Sequence, residues 1–188
     1  NIEELKNRLK ASKAKVVFAT LCETSTGVDF DIKAIAQVVK NSAAVLAVDA
    51  ISGLGVVDLK TDEWGVDVVV SGSQKGLMLP PGLGFISVSQ KAWKLINESQ
   101  SPRYYFDLRL AKKAWEQTDT PFTTSVSLVV ALNAALKMIK DDGLENVFKR
   151  CSKLAQGIRS AAKALGLKLF ADEGCSSRAI TAVNVPAG

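Results

Sequence analysis

The sequence predicts an α/β fold with a largely parallel sheet flanked by helices. Four short apolar runs with β-branched residues carry the sheet: KVVFATL (15–21), AAVLAVDA (43–50), VDVVVSG (66–72) and GLGFISVS (82–89). Between and after them, apolar residues recur at helical spacing. Strands alternating with helical or longer connections are the pattern of a parallel sheet.

In chain order, IEELKNRLKASK opens the sequence as a helix, and the run 15–21 is the first buried strand, closed by the turn-rich ETSTG. Asp31 is placed to cap a helix through Lys40, with Ile32, Ile35, Ala36 and Val39 on one face. The runs 43–50, 66–72 and 82–89 follow as strands, then a helix near Gln90–Glu98. Past Pro121, residues 125–140 read as a helix that stops at Asp141-Asp142-Gly143. A longer helix runs from about Leu144 to Leu165, with Gly166 as its terminator. A strand, LKLF (167–170), follows, and ITAVNV (180–185) is strand-like. A domain boundary is expected near residue 148, dividing 1–148 from the start of a smaller α+β domain at 149–188. The chain starts inside a helical pattern and stops at Gly188 just past a strand-like run, so a segment of a longer protein is expected.

Composition narrows the function. The chain has 188 residues, 47% of them hydrophobic, enough for a sizeable core. Net charge is +5, but the 24 basic residues are scattered, which argues against nucleic-acid binding. No apolar run is long enough to span a membrane. The three cysteines, Cys22, Cys151 and Cys175, are far apart, which predicts reduced thiols in an intracellular compartment, the cytoplasm or an organelle's interior. There is no histidine, so Ser-His-Asp and Cys-His mechanisms and histidine metal ligands are excluded, and no metal site is expected. Acid–base chemistry must come from Lys, Asp, Glu, Tyr, Cys or a cofactor. GxGxxG after the first strand and GxxxxGK[ST] are both missing, which disfavours a nucleotide-binding domain.

Ligands of open parallel sheets gather at the carboxyl ends of the strands. There the sequence places Glu23-Thr24-Ser25-Thr26-Gly27, then Asp49 with Ser52 and Gly53, then SGSQKG (71–76) with Lys75. Lys75 lies between two segments that look buried, and a desolvated ammonium is costly unless paired or neutralised. Taken singly, Lys75 reads as a solvated loop lysine and Asp49 as a cap or turn residue. Together they suit pyridoxal 5'-phosphate, which needs a lysine for its Schiff base and an acid opposite its pyridine nitrogen.

The blocks ETSTGV, VDAISGLG, WGVD and SGSQKGLMLPPGLG, continued by TPFTTSV, GLENVFKR and the terminal VPAG, resemble the class V aminotransferases of fold type I. The likeness is greatest to the alanine–glyoxylate and serine–glyoxylate group. The resemblance implies that Lys75 is the Schiff-base lysine and Asp49 the partner of the pyridine nitrogen. It places Thr24 near the cofactor's ring hydroxyl and Gln74 near its phosphate. Thr123 resembles a threonine that reaches the phosphate of the neighbouring subunit, which implies a homodimer with shared sites. The implied reaction moves an amino group from a small amino acid, alanine or serine, to a 2-oxo acid, glyoxylate or pyruvate. The family's upstream glycine turn and its downstream arginine for the substrate carboxylate lie outside these residues, and Arg178 does not occupy the arginine's position. Gln74 replaces the histidine that usually precedes the lysine in cysteine desulfurases. Some relatives carry the label of a soluble hydrogenase subunit, a chemistry for which this sequence offers neither clustered cysteines nor histidines. A second reading stays open: a noncatalytic segment that keeps the fold as a dimerisation or regulatory module.

Overall fold

The computed structural model describes residues 1–186, so the end of the VPAG motif, Ala187 and Gly188, lies outside it. Helix α1 (Ile2–Ala11) starts at Asn1, whose side chain accepts from the Glu3 and Glu4 amides. Strand β1 (Val16–Thr20) leads into a small hairpin, β2 (Cys22–Glu23) and β3 (Val28–Asp29). Then come α2 (Ile32–Lys40), β4 (Val45–Asp49), the short α3 (Thr61–Trp64), β5 (Val68–Gly72), β6 (Gly84–Val88) and α4 (Gln90–Glu98). The rest is helical: α5 (Leu108–Glu116), α6 (Val126–Asp142) and α7 (Leu144–Ala164), closed by a 3-10 turn at Glu173–Cys175.

The sheet order is β1-β4-β5-β6, with β1, β4 and β5 parallel and β6 antiparallel. The fold is the mixed α/β one that the strand runs predict. Asp31 caps α2 by accepting from the Ala34 amide, and α2 lays Ile32, Ala36 and Val39 on the sheet. These meet Leu46, Val48 and Val69, and the cluster is closed by Leu21, Ala44, Ala50 and Val66. Asp67 is buried at the strand starts, where its carboxylate accepts from the Leu46 amide at 2.9 Å and the Ser89 hydroxyl at 2.7 Å. That satisfied carboxylate ties β4 to the cap of α4.

The opposite face of the sheet is bare. Val16, Phe18, Val70 and Ile86 are exposed there, Phe18 to 82%. Parallel strands ordinarily have both faces covered, so this is an apolar surface without a layer over it.

Three local expectations differ from the structure. LKLF and ITAVNV meet only through a single bridge, Leu169 to Val183, because no neighbouring strand extends the ladder. The helices α3 and α5 form where no helical pattern was read, and neither buries a residue. On α7, apolar residues at helical spacing, from Leu144 through Val147, Phe148, Cys151, Leu154, Ala155 and Ile158 to Ala162, predict an apolar stripe wider than the face the helix buries. Val147, Phe148, Ala155 and Ala162 are buried, while Leu144, Leu154 and Ile158 are exposed. Residue 148 falls within α7, which runs unbroken to either side of it.

Candidate active site

Three loops leave the carboxyl ends of β1, β4 and β5 and pack closely together. A methyl group on Gly53 would lie 2.7 Å from the Leu21 side chain, and one on Gly76 would lie 2.2 Å from the Leu54 carbonyl oxygen. The second approach, backbone on backbone, is open only to glycine. The loop after β5 is knitted further by Ser73, which is fully buried. Its hydroxyl donates to the Pro80 carbonyl at 2.7 Å and accepts from the Leu83 amide at 3.2 Å. The Met78 amide donates to the Lys75 carbonyl at 2.9 Å, with Met78 itself at φ 60°. A left-handed, non-glycine residue three positions after the lysine is local strain of the kind found at functional loops. Sequence reasoning missed Ser73 as a positioning residue; its signal was a small hydroxyl inside a buried run.

Asp49 is the last residue of β4 and sits in a cross-strand row with Thr20 and Val70. Its Oδ1 accepts from the Ile51 amide at 2.8 Å, which fixes the carboxylate and leaves Oδ2 without a protein partner among the described residues. With Phe18, Thr20 and Val70 it lines an open cavity of about 870 Å³ against the bare sheet face. Thr24 and Ser52 meet through their hydroxyls at 2.7 Å, which joins the β2–β3 turn to the turn after β4. Beside Thr24, Glu23 accepts from the Ser25 hydroxyl and amide, and these bonds hold its carboxyl below the usual range.

Lys75 is exposed, contrary to the buried setting its flanking sequence suggests. The loop carries its side chain out of the apolar layer and into a second cavity of about 570 Å³. Ser52 and Gly76 form one wall, Cys151, Leu154 and Ile158 of α7 another, and Arg178 to Thr181 a third. Gln74 is exposed, with its amide oxygen folded over Gly72. Thr123 is exposed on the segment before α6 and lines neither cavity. Thus the fold brings Thr24, Ser52, Asp49 and Lys75 to one edge of the sheet, with Asp49 and Lys75 in different cavities.

The donor set suits pyridoxal phosphate. An accessible primary amine, a fixed carboxylate with one free oxygen and a hydroxyl pair are what its carbonyl carbon, ring nitrogen and ring hydroxyl require. The hairpin is held from below by Cys22, whose buried thiol shares a 3.1 Å hydrogen bond with the Ser177 hydroxyl. Burial is the main cause pushing this thiol up to about 11.

The chain is similar to several known proteins. The chain is 49% identical over 178 residues to the soluble hydrogenase, small subunit, of a Synechococcus species, covering 94% of this chain and 46% of that one. It is 41% identical over 189 residues to the L-aspartate–glyoxylate aminotransferase of Paracoccus denitrificans, covering 99% and 48%. The crystal structure of an alanine–glyoxylate aminotransferase from a Nostoc species superposes with a TM-score of 0.95 at 28% identity, covering 100% of this chain and 51% of that one. The chain spans about half the length of the curated relatives it matches. The family model Aminotransferase class-V matches residues 1–188, and the chain belongs to that family.

Proposed function

We propose that this chain forms the lysine-bearing part of the cofactor site in a pyridoxal-phosphate-dependent aminotransferase. The reaction moves an amino group from a small amino acid, alanine or serine, to a 2-oxo acid such as glyoxylate or pyruvate. One observation carries the reading: Lys75 reaches an open cavity at the carboxyl edge of a parallel sheet, with fixed Asp49 and the Thr24–Ser52 pair on adjoining loops. Family membership and the aminotransferase relatives support it.

Lys75 would hold the cofactor covalently, Asp49 would face its ring nitrogen, and Thr24 its ring hydroxyl. Gln74 would lie near the phosphate. When bound, pyridoxal phosphate supplies an electron sink for the bond-breaking at the substrate's α-carbon. The ε-amine of Lys75 would act as the base that takes the proton from that carbon and as the acid that delivers it to the carbon through which the cofactor is attached. Asp49 would present its carboxylate to the ring nitrogen and so favour the protonated form of the ring. Residues 1–148 belong to the cofactor-binding domain in this reading, and 149–188 begin the smaller one. Thr123 completes the phosphate site of a second subunit, which makes the enzyme a homodimer.

Borohydride reduction after incubation with pyridoxal phosphate, followed by peptide mass mapping, tests the assignment. The expected result is one adduct on Lys75, lost when an amino donor is added before reduction and absent in Lys75→Ala. Labelling spread over surface lysines on folded protein would overturn it and return the noncatalytic reading.

A further inference from the structure

The cavity that receives Lys75 contains a second cation and no acid. Arg178 lines it, and none of its lining residues is Asp or Glu. The segment bearing Arg178 is anchored on several sides. Ser176 bridges to Val28, the Ser177 amide donates to the Gly27 carbonyl at 2.8 Å, and Arg159 donates to the Ser177 carbonyl at 2.8 Å. The Arg178 amide itself donates to the Asp29 carboxylate at 3.3 Å. Asp29 is therefore engaged through the main chain, and among the described residues the Arg178 guanidinium has no ion pair and no hydrogen bond. Arg178 is exposed; a cation whose main chain is anchored, which lines a cavity and has no counter-ion there, can receive an anion.

We infer that Arg178 binds the side-chain carboxylate of a dicarboxylic amino-acid or 2-oxo-acid substrate, which makes the acidic donors of the aspartate class substrates of this site. The inference rests on the aminotransferase reading for its geometry. There the reacting carbon lies at Lys75, and the substrate's α-carboxylate belongs to an arginine outside these residues. A second, distal carboxylate on a chain of a few carbons is what a second cation in the same cavity would take. The apolar wall of Leu154 and Ile158 would flank the methylenes between the two ends. Two cations without an acid leave an excess positive charge, and in the aminotransferase reading Lys75 would be committed to the cofactor. Arg178 then remains as the cavity's charged anchor. The planar guanidinium fork matches a carboxylate with two parallel hydrogen bonds, which a lysine does not reproduce.

Calorimetric titration of succinate, an inert dicarboxylate, and of propionate, its monocarboxylate counterpart, tests this on the cofactor-loaded protein. Arg178→Gln should weaken succinate binding by about tenfold or more while moving propionate by less than about twofold. Arg178→Lys should recover part of the loss. In turnover, kcat/KM for aspartate should fall in Arg178→Gln while that for alanine holds. Among the described residues the exposed side chain makes no hydrogen bond or ion pair, so both variants should keep the wild-type melting temperature. Equal succinate affinity in wild type and Arg178→Gln overturns the inference. So does a loss of pyridoxal phosphate affinity with succinate binding intact, which would assign the guanidinium to the cofactor's phosphate. Arg178-dependent succinate binding in a protein whose Lys75 is never labelled would sink the aminotransferase reading and leave the dicarboxylate site standing.

Discussion

Gly76 is the hinge pin of the lysine loop, and Gly76→Ala tests whether the loop is held as described. The added methyl would sit 2.2 Å from the Leu54 carbonyl oxygen and 3.0 Å from a Val56 methyl. Carbon–oxygen contacts in proteins settle near about 3.3 Å or more, so the two backbones must part by about 1 Å. The Val56 and Val57 amides, which donate to Gly53 at 3.0 and 2.8 Å, belong to the turn that would have to move. Overpacking of this kind costs about 1–3 kcal/mol, and a backbone obstacle puts Gly76→Ala near about 3 kcal/mol. For a chain of this size that lowers Tm by about 6–12 °C. Two glycines serve as controls, because a methyl on Gly84 or Gly157 meets nothing within 4 Å. Gly84→Ala should stay within about 0.5 kcal/mol of wild type, and Gly157→Ala, inside α7, should gain about 1 kcal/mol. Urea denaturation measures all three, and borohydride labelling of Lys75 reports the loop itself. Wild-type stability together with wild-type labelling in Gly76→Ala would refute the claim that this contact positions the lysine.

Two further outcomes follow from the site. Asp49→Asn keeps the Ile51 hydrogen bond but loses the charge, so turnover should fall by about 100-fold with the urea midpoint unchanged. A near-normal rate would reduce Asp49 to a turn residue. Cys22 should resist thiol reagents at pH 8 while Cys151 and Cys175 react, because its thiol is buried and raised from 9.0 to about 11. The sign of the linkage is that of a proton held more tightly in the folded state. Stability is full below pH 9 and declines as pH rises from 9 through 11, and Cys22→Ser should remove that part of the wild-type profile in urea titrations at stepped pH.

The parallel strands were legible because each is a β-branched run ended by small polar residues, and their carboxyl ends pointed to Thr24, Asp49 and Lys75. Contacts between distant loops were not. Ser52 reads as a turn residue until Thr24 is seen 2.7 Å away. Arg178 has no local signal, and only tertiary packing of residues 176–178 on the β2–β3 hairpin brings it to the cavity of Lys75. The exposure of Lys75 was hidden for a related reason. Apolar residues on both sides suggest burial, yet the loop between them turns outward into a cavity with α7 as one wall. Helix α5, which was not read from the sequence, begins on a side-chain cap. Asp107 accepts from the Arg109 amide and pairs with its guanidinium at 2.6 Å, and that guanidinium holds the carboxyl well below its usual range.

The bare face of the sheet governs how this polypeptide behaves at the bench. Phe18, Val70 and Ile86 form an adhesive patch that water cannot satisfy, and β1 beside it offers an unpaired edge. Self-association would bury the same surface that a second layer would, so it competes with any such layer by mass action. Apparent stability of the chain on its own should therefore rise with protein concentration. Dilution series belong beside every melting curve, and Phe18→Lys is the change most suited to yield a dispersed sample.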